Sequence, residues 1–226
     1  MTIFDVFFFV VLPYAAVGQL LPAILFHRKA VGVLADPASG LALEDERSTW
    51  ASRAAWFGAV CMVLLHVVPF LFAGGWSALI AVPARLLAVE LCALVGGLLF
   101  FFGVGAILSR RLRDQRLSKL RSLLELGALT SLFLAAGAGV LTAVTARWGT
   151  AWYTHALGPY LWSLARLQPD TEALTSLSFW PRVHLAFSFL AMALVPFTSL
   201  PQQLRAPLAE LIKARFGNKP VAGGAR

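Results

Sequence analysis

Five long apolar stretches alternate with polar segments along the 226-residue chain, at about 3–26, 54–73, 85–108, 123–146 and 182–204. Each has about 20 residues or more, so a helix of that length crosses the hydrocarbon core of a bilayer, about 30 Å. A helix also satisfies its own backbone hydrogen bonds, as lipid requires. The pattern predicts an all-α integral membrane protein, with a five-helix bundle over 1–204 and a basic tail at 205–226.

Composition and charge support this prediction. The chain is 59% hydrophobic and 13% charged, which is too apolar for a soluble domain of this length. Its net charge of +8 comes from Lys and Arg that concentrate in 27–53, 109–121 and the tail. Because basic loops stay in the cytoplasm, we predict an N-terminus outside, a C-terminus in the cytoplasm and a multi-pass location in the inner (cytoplasmic) membrane. We expect no nucleic-acid partner.

The connection between the fourth and fifth stretches, 147–181, is rich in Trp and Tyr. We predict a long loop there, with its aromatic side chains at the membrane interface. A docking surface for a redox partner is the alternative, and the sequence leaves both open. A shorter connection, 77–83, is predicted to be apolar and interfacial.

Small residues are frequent in the third and fourth stretches. The glycines are Gly96, Gly97, Gly103, Gly105, Gly127, Gly137 and Gly139. Glycine in a membrane helix permits close approach of a neighbouring helix, or leaves room for a porphyrin or quinone ring. Close helix approach is the more frequent reason.

Two histidines, His66 and His184, lie within apolar stretches, where an unpaired imidazole is costly. Both are expected in the outer half of the membrane on antiparallel helices, so they suit the two axial positions of one haem b iron. No CxxCH motif occurs in the sequence, so such a haem is held non-covalently. Arg182, beside His184, is placed to pair with a haem propionate. Hydrogen bonding of each histidine to a neighbouring helix, and interfacial anchoring by Arg182, remain open alternatives.

Several short motifs resemble the cytochrome b (gamma) subunit of membrane-bound respiratory nitrate reductases. They are the FFF…PY pattern at 7–14, SRRL at 109–112, RVH at 182–184 and PF at 196–197. His66 falls at the matching place in the second stretch. The resemblance implies a haem b subunit that carries electrons between the quinone/quinol pool and an iron–sulfur subunit with a molybdenum catalytic partner. Such a subunit is not catalytic alone.

The chain also departs from this family. Members of this type are expected to carry a second, inner haem, whose ligands match positions 56 and 202 here. These positions hold Trp56 and Gln202, and neither is a usual haem ligand. We therefore predict one haem, with either a partner on the outer face or an inner relay in another subunit.

Arg85, Glu90 and His66 are the candidate quinol-binding residues. Arg85 lies near the place where the resembled family carries a lysine at its quinol site, and we interpret Glu90 as the one acidic residue within an apolar stretch. We expect Arg85 to position the quinol, His66 to accept from it and Glu90 to take a proton. The alternatives are an Arg85 side chain that reaches to lipid headgroups and an ion pair between Arg85 and Glu90.

A rival function is a membrane anchor or a proton- or ion-conducting subunit without haem, using His66, Glu90 and His184 as a polar path. The sequence contains no matching pair of broken helices of the kind found in transporters, which disfavours it. The terminal substrate, the direction of electron flow and the type of quinone stay open.

Overall fold

The computed structural model describes residues 3–30, 50–113, 119–146, 148–175 and 177–198, and these residues form eight helices and no strands. In chain order they are α1 (3–30), α2 (Trp50–Leu71), α3 (Ala73–Ile80), α4 (Pro83–Arg113), α5 (Lys119–Thr145), α6 (149–165), α7 (Glu172–Thr175) and α8 (Phe179–Leu194). A short 3-10 turn, Val195–Phe197, continues α8. Helices α1, α2, α4, α5 and α8 are long and apolar enough to cross a membrane, which confirms the all-α prediction with five spans.

Most of the spanning helices extend beyond the apolar stretches that predicted them. Helix α2 begins at Trp50 rather than 54, and α8 begins at Phe179 rather than 182. Hydropathy marks the part of a helix that matches lipid, whereas the helix itself continues into the interface. The tail at 205–226 and the end of the fifth predicted stretch lie outside the described residues, and the orientation of the termini stays a prediction.

Helix α1 contains one wide turn. Its segment Phe7–Val11 is a π-helix between the α-helical segments Ile3–Val6 and Leu12–Ala30. In this turn the Leu12 N–H donates to the carbonyl of Phe7, five residues earlier. A π turn interrupts the regular ladder of backbone hydrogen bonds. The Phe9 carbonyl in this turn accepts a hydrogen bond of 2.6 Å from the Tyr160 hydroxyl of α6.

Helices α2 and α4 pack with their backbones in contact. A Cβ atom on Gly58 would lie 2.4 Å from the Phe100 nitrogen, and one on Gly103 would lie 2.4 Å from the Ala55 nitrogen. A Cβ on Gly96 would lie 2.6 Å from the sulfur of Cys61. The three glycines thus permit a helix approach that any side chain would prevent, which is the close packing that the glycine pattern favours.

The main helix contacts run in the order α2, α4, α5, α8, α1. Stacked rings of Phe101 and Phe133, 4.5 Å apart, join α4 to α5. Among the described residues, α2 has no extensive packing contact with α8 or α1. The arrangement therefore leaves α2 and α8 facing each other without a close-packed contact.

The prediction of a long loop at 147–181 is wrong for most of that segment, because α6 and α7 occupy it. The aromatic side chains of α6 are directed to the spanning helices: Tyr160 is fully buried, and Trp162 donates to the Phe70 carbonyl over 3.2 Å. Tyrosine and tryptophan can bury their rings while their polar atoms find backbone partners, which favours a packed helix over a free loop. Likewise, much of the predicted connection 77–83 belongs to α3.

Candidate functional site

His66 and His184 lie together where α2 and α8 face each other. Their ring centroids are 5.9 Å apart and their planes are inclined by 39°. His66 is five residues before the end of α2 at Leu71, and His184 is five residues after the start of α8 at Phe179. At a rise of 1.5 Å per residue, the backbone of each histidine lies about 7.5 Å from the helix end, and both helix ends are at the same end of the bundle. The structure thus brings together the two histidines that the sequence singled out.

Both imidazoles are anchored through Nδ1. The Nδ1 atom of His66 lies 2.7 Å from the carbonyl oxygen of Met62, and that of His184 lies 2.8 Å from the carbonyl oxygen of Ala135. A carbonyl only accepts, so the geometry assigns the proton to Nδ1 in each ring. Nε2 then keeps its lone pair. This is the arrangement by which proteins orient histidine ligands of metals.

Space for the His184 ring depends on Gly139 of α5. A Cβ atom at this position would lie 2.9 Å from Nδ1 of His184 and 3.0 Å from its Cε1. Any larger residue would therefore push the imidazole away from the Ala135 carbonyl. In the sequence, Gly139 is only one of several small residues in the third and fourth apolar stretches, and nothing there marks it as a neighbour of His184.

Tyr153 of α6 contacts His66 in two ways. Its hydroxyl donates to the backbone carbonyl of His66 over 2.9 Å, and its ring meets the imidazole edge-on, with centroids 6.1 Å apart. Burial raises the pKa of Tyr153 to about 12, so the hydroxyl remains a donor at physiological pH. Sequence reasoning missed this contact, because Tyr153 stood among many aromatic residues of a presumed loop.

Arg182 is half-buried on the first turn of α8. Its Nε donates to the carbonyl oxygen of Leu174 in α7, over 3.1 Å. This bond fixes the guanidinium beside the start of α8, two residues before His184. Its role towards a haem propionate stays a prediction.

Arg85 and Glu90 lie on the first turns of α4 but have different environments. The Arg85 side chain is exposed, whereas Oε1 of half-buried Glu90 accepts two hydrogen bonds from Thr150, 2.9 Å from the backbone nitrogen and 2.7 Å from the hydroxyl. Within the described part of the chain, no ion pair between Arg85 and Glu90 is observed. Glu90 is therefore tied to α6, a contact that the sequence did not indicate.

The prediction that Glu90 is the one acidic residue within an apolar stretch is wrong. Glu125 lies in the candidate span Leu123–Thr145 and is only 5% exposed. On α4, Arg111 is also buried. Arg111 was missed because it lies within the basic segment 109–121, whose charges were assigned to the cytoplasm, and Glu125 was missed because it follows that segment closely.

Comparison with known proteins agrees with this architecture. A family model described as "Nitrate reductase gamma subunit" matches residues 5–215, which is most of the chain. The chain belongs to the nitrate reductase gamma subunit family. It is 24% identical over 178 residues to the nitrate reductase gamma chain of Bacillus subtilis (strain 168), an alignment that covers 76% of this chain and 78% of that relative.

Membership of the nitrate reductase gamma subunit family confirms the family resemblance seen in the sequence. It makes the chain a multi-pass subunit of the cell membrane that is not catalytic alone. It also implies association with the catalytic and iron–sulfur subunits of a nitrate reductase complex. Gamma subunits generally bind haem.

The paired histidines fit a haem iron by their spacing. A bond between a metal ion and an imidazole nitrogen is about 2 Å long, so two imidazoles on opposite sides of one ion have centroids about 6 Å apart. The observed 5.9 Å agrees with that distance. Among the described residues, no group of three or more His, Cys, Asp or Glu side chains is placed to hold a metal ion. At the position predicted to have lost a ligand, Trp56 is half-buried with its ring edge-on to Phe57, and Gln202 lies outside the described residues.

Proposed function

We propose that this gamma subunit is a membrane-anchor cytochrome b that carries electrons between the quinone/quinol pool and the iron–sulfur and molybdenum subunits of a nitrate-reductase-like complex. It would do so through one haem b with His66 and His184 as axial ligands. The observation that carries the proposal is the pair of imidazoles 5.9 Å apart, each with Nδ1 on a backbone carbonyl. Two neutral imidazoles are a usual donor set for a haem b iron.

The residues of the chain have definite tasks in this proposal. The carbonyls of Met62 and Ala135 hold the imidazoles in the tautomer that leaves Nε2 for the iron. Gly139 leaves the space that the His184 ring occupies. A haem bound there supplies one-electron redox chemistry, while the protein sets ligation, access and dielectric. Arg182, held on the Leu174 carbonyl, is proposed to pair with a propionate by a charge-assisted bond.

The quinol is proposed to bind near the same end of the bundle. Arg85 is exposed there and can donate to a quinol oxygen. The backbone near His66 is proposed as the hydrogen-bond acceptor, because both ring nitrogens of His66 are already engaged, and Glu90 is proposed as the proton acceptor. Replacement of Glu90 by Gln removes the proton acceptor but keeps an oxygen for Thr150. Quinol-driven haem reduction at the wild-type rate in Glu90→Gln would exclude the proton role.

One haem, rather than two, follows from Trp56 and Gln202 at the positions of the second ligand pair. With the N-terminus outside, the histidine pair lies near the outer end of the bundle. Electrons on a single haem there would be far from the cytoplasmic side. We therefore also propose either a partner on the outer face or an inner relay in another subunit. Location of the partner in the assembled complex distinguishes the two.

The deciding experiment is an oxidised-minus-reduced visible spectrum of the purified protein with haem quantified per chain. We expect a b-type spectrum with one haem, which His66→Ala and His184→Ala each abolish. His155→Ala is the matched control, because His155 is an exposed residue of α6. Wild-type protein without haem, prepared with sufficient haem supply, would favour the haem-free anchor or proton-conducting subunit instead.

A further inference from the structure

Helix α6 is held at its N-terminus by a side chain of another helix. Trp148, the residue before α6, has a left-handed backbone (φ 65°) and its side chain makes no capping hydrogen bond. Glu90 of α4 supplies that bond instead, since its Oε1 accepts from both the backbone N–H and the hydroxyl of Thr150. A carboxyl oxygen at a helix N-terminus satisfies otherwise unpaired N–H groups and interacts favourably with the helix dipole.

From this fixed end, α6 reaches the helix that carries His66. Tyr153, one turn after Thr150, donates to the His66 carbonyl. Further along, Trp162 donates to the Phe70 carbonyl and stacks on the Phe70 ring, with centroids 4.8 Å apart. Helix α6 therefore contacts α2 at two places, at His66 itself and four residues later at Phe70.

Helix α6 is also tied to α1, which packs on α8. The Tyr160 hydroxyl donates to the Phe9 carbonyl, and the Tyr14 hydroxyl of α1 donates to the Leu164 carbonyl of α6 over 3.1 Å. Since α2 and α8 lack an extensive contact of their own, α6 is a bridge between the two sides of the histidine pair.

We propose that Glu90 and Thr150 form a clamp that fixes α6 and, through Tyr153, positions His66 relative to His184. The clamp is a positioning device, and neither residue needs to touch the haem for it to work. The inference rests on the proposed haem function, because it assigns these residues to the geometry of the ligand pair. Groups that orient a metal-binding histidine typically change metal affinity by about 10- to 100-fold when removed.

In the clamp, the task of Glu90 is to accept hydrogen bonds from Thr150, which differs from proton uptake. A clamp requires only an acceptor oxygen at Oε1, which the amide of Gln also provides. Proton uptake requires a group that titrates, which Gln lacks. Glu90→Gln and Glu90→Ala thus separate the two roles, because only the alanine removes the acceptor.

The test compares four variants of the full-length haem-loaded protein. Glu90→Ala and Thr150→Val remove parts of the clamp, whereas Glu90→Gln and Thr150→Ser retain its hydrogen bonds. We expect the first two to shift the low-spin haem signal in electron paramagnetic resonance and to lower haem affinity by about tenfold, the lower end of such effects. The second two should keep the wild-type spectrum. The matched control is Thr154→Val, since the Thr154 hydroxyl bonds only within α6, to the Ala151 carbonyl.

Hydrogen exchange provides a readout that does not need haem. Backbone amides at 150–157 should exchange faster in Glu90→Ala and Thr150→Val but not in Glu90→Gln. If wild-type protein binds no haem, the proposed function fails, and the exchange result alone then decides whether the clamp exists. Should Glu90→Ala not fold, Thr150→Val carries the test. The proposal would be overturned if Thr150→Val had the haem spectrum and amide exchange of the wild type. It would also be overturned if Glu90→Gln changed the spectrum and the exchange as much as Glu90→Ala does.

Discussion

The two sides of α2 are held in place by opposite means. Towards α4, its backbone lies in direct contact with the neighbouring backbone at Gly58 and Gly103. Towards α8 there is no extensive packing, and hydrogen bonds from Tyr153 and Trp162 of α6 hold it instead. One side of α2 is thus a rigid contact that depends on the absence of side chains at these glycines. The other side is an adjustable site set by polar contacts.

The largest loss of stability is expected from a substitution at the contact between α2 and α4. Gly58→Ala would place a Cβ atom 2.4 Å from the Phe100 nitrogen, and backbone cannot give way as a side chain can. We expect a loss of stability of about 3 kcal/mol or more, at the upper end for overpacking, measured by thermal unfolding in detergent. Gly74→Ala in α3 is the control, because nothing lies within 4 Å of its added Cβ. Equal stability of the two variants would contradict the backbone contact.

A smaller and more selective effect is expected on the site side, at Gly139. Gly139→Ala should displace the His184 imidazole from the Ala135 carbonyl and lower haem affinity by about tenfold or more. Haem titration of the purified protein measures this. Gly127→Ala, on the same helix, places its Cβ at an ordinary 3.6 Å from Leu194 and should bind haem normally. Unchanged haem binding in Gly139→Ala would refute the tight fit.

Two tyrosines of α6 donate to backbone carbonyls of different helices, Tyr153 to α2 and Tyr160 to α1. Tyr153→Phe and Tyr160→Phe each remove a hydroxyl that donates to a backbone carbonyl, so each should cost about 1 kcal/mol of stability. Only Tyr153 contacts His66, so only its substitution should also change the haem spectrum. The paired measurement is thermal stability and visible absorption on both variants. A spectral change in Tyr160→Phe of the same size would show that α6 acts as a whole rather than through Tyr153.

The smallest effect is a dependence on alkaline pH. The pKa of Tyr153 is raised to about 12 by burial, above the value near 10 of an exposed tyrosine. The folded protein therefore keeps a proton that the unfolded chain has lost, so stability should fall as pH rises from about 10 to 12. Thermal unfolding at several pH values measures this, and the fall should be shallower in Tyr153→Phe. If stability falls with pH equally steeply in Tyr153→Phe, a group other than Tyr153 is responsible for the effect.

The spanning helices and the histidine pair were predictable because their signals are local. Long apolar stretches and single polar residues within them can be recognised without knowledge of the fold. The carbonyls of Met62 and Ala135 could not be found this way, because every residue has a carbonyl and only the fold decides which one meets an imidazole. Helix α6 was mistaken for a loop because its aromatic composition also suits an interfacial segment. Its partners, from Phe9 to Phe70, are far away in sequence.

The wide turn in α1 makes the length of that helix matter more than its composition. The bond from Tyr160 ends on the backbone oxygen of Phe9, so substituting the Phe9 side chain leaves the acceptor in place. Deleting one residue from Phe7–Val11 would instead restore a regular α-helix and remove the wide turn in which the Phe9 carbonyl meets the Tyr160 hydroxyl. The number of residues in this segment therefore decides whether the start of α1 keeps its hydrogen bond to α6. Natural variants should tolerate exchanges among large apolar residues there far better than a change of a single residue in length.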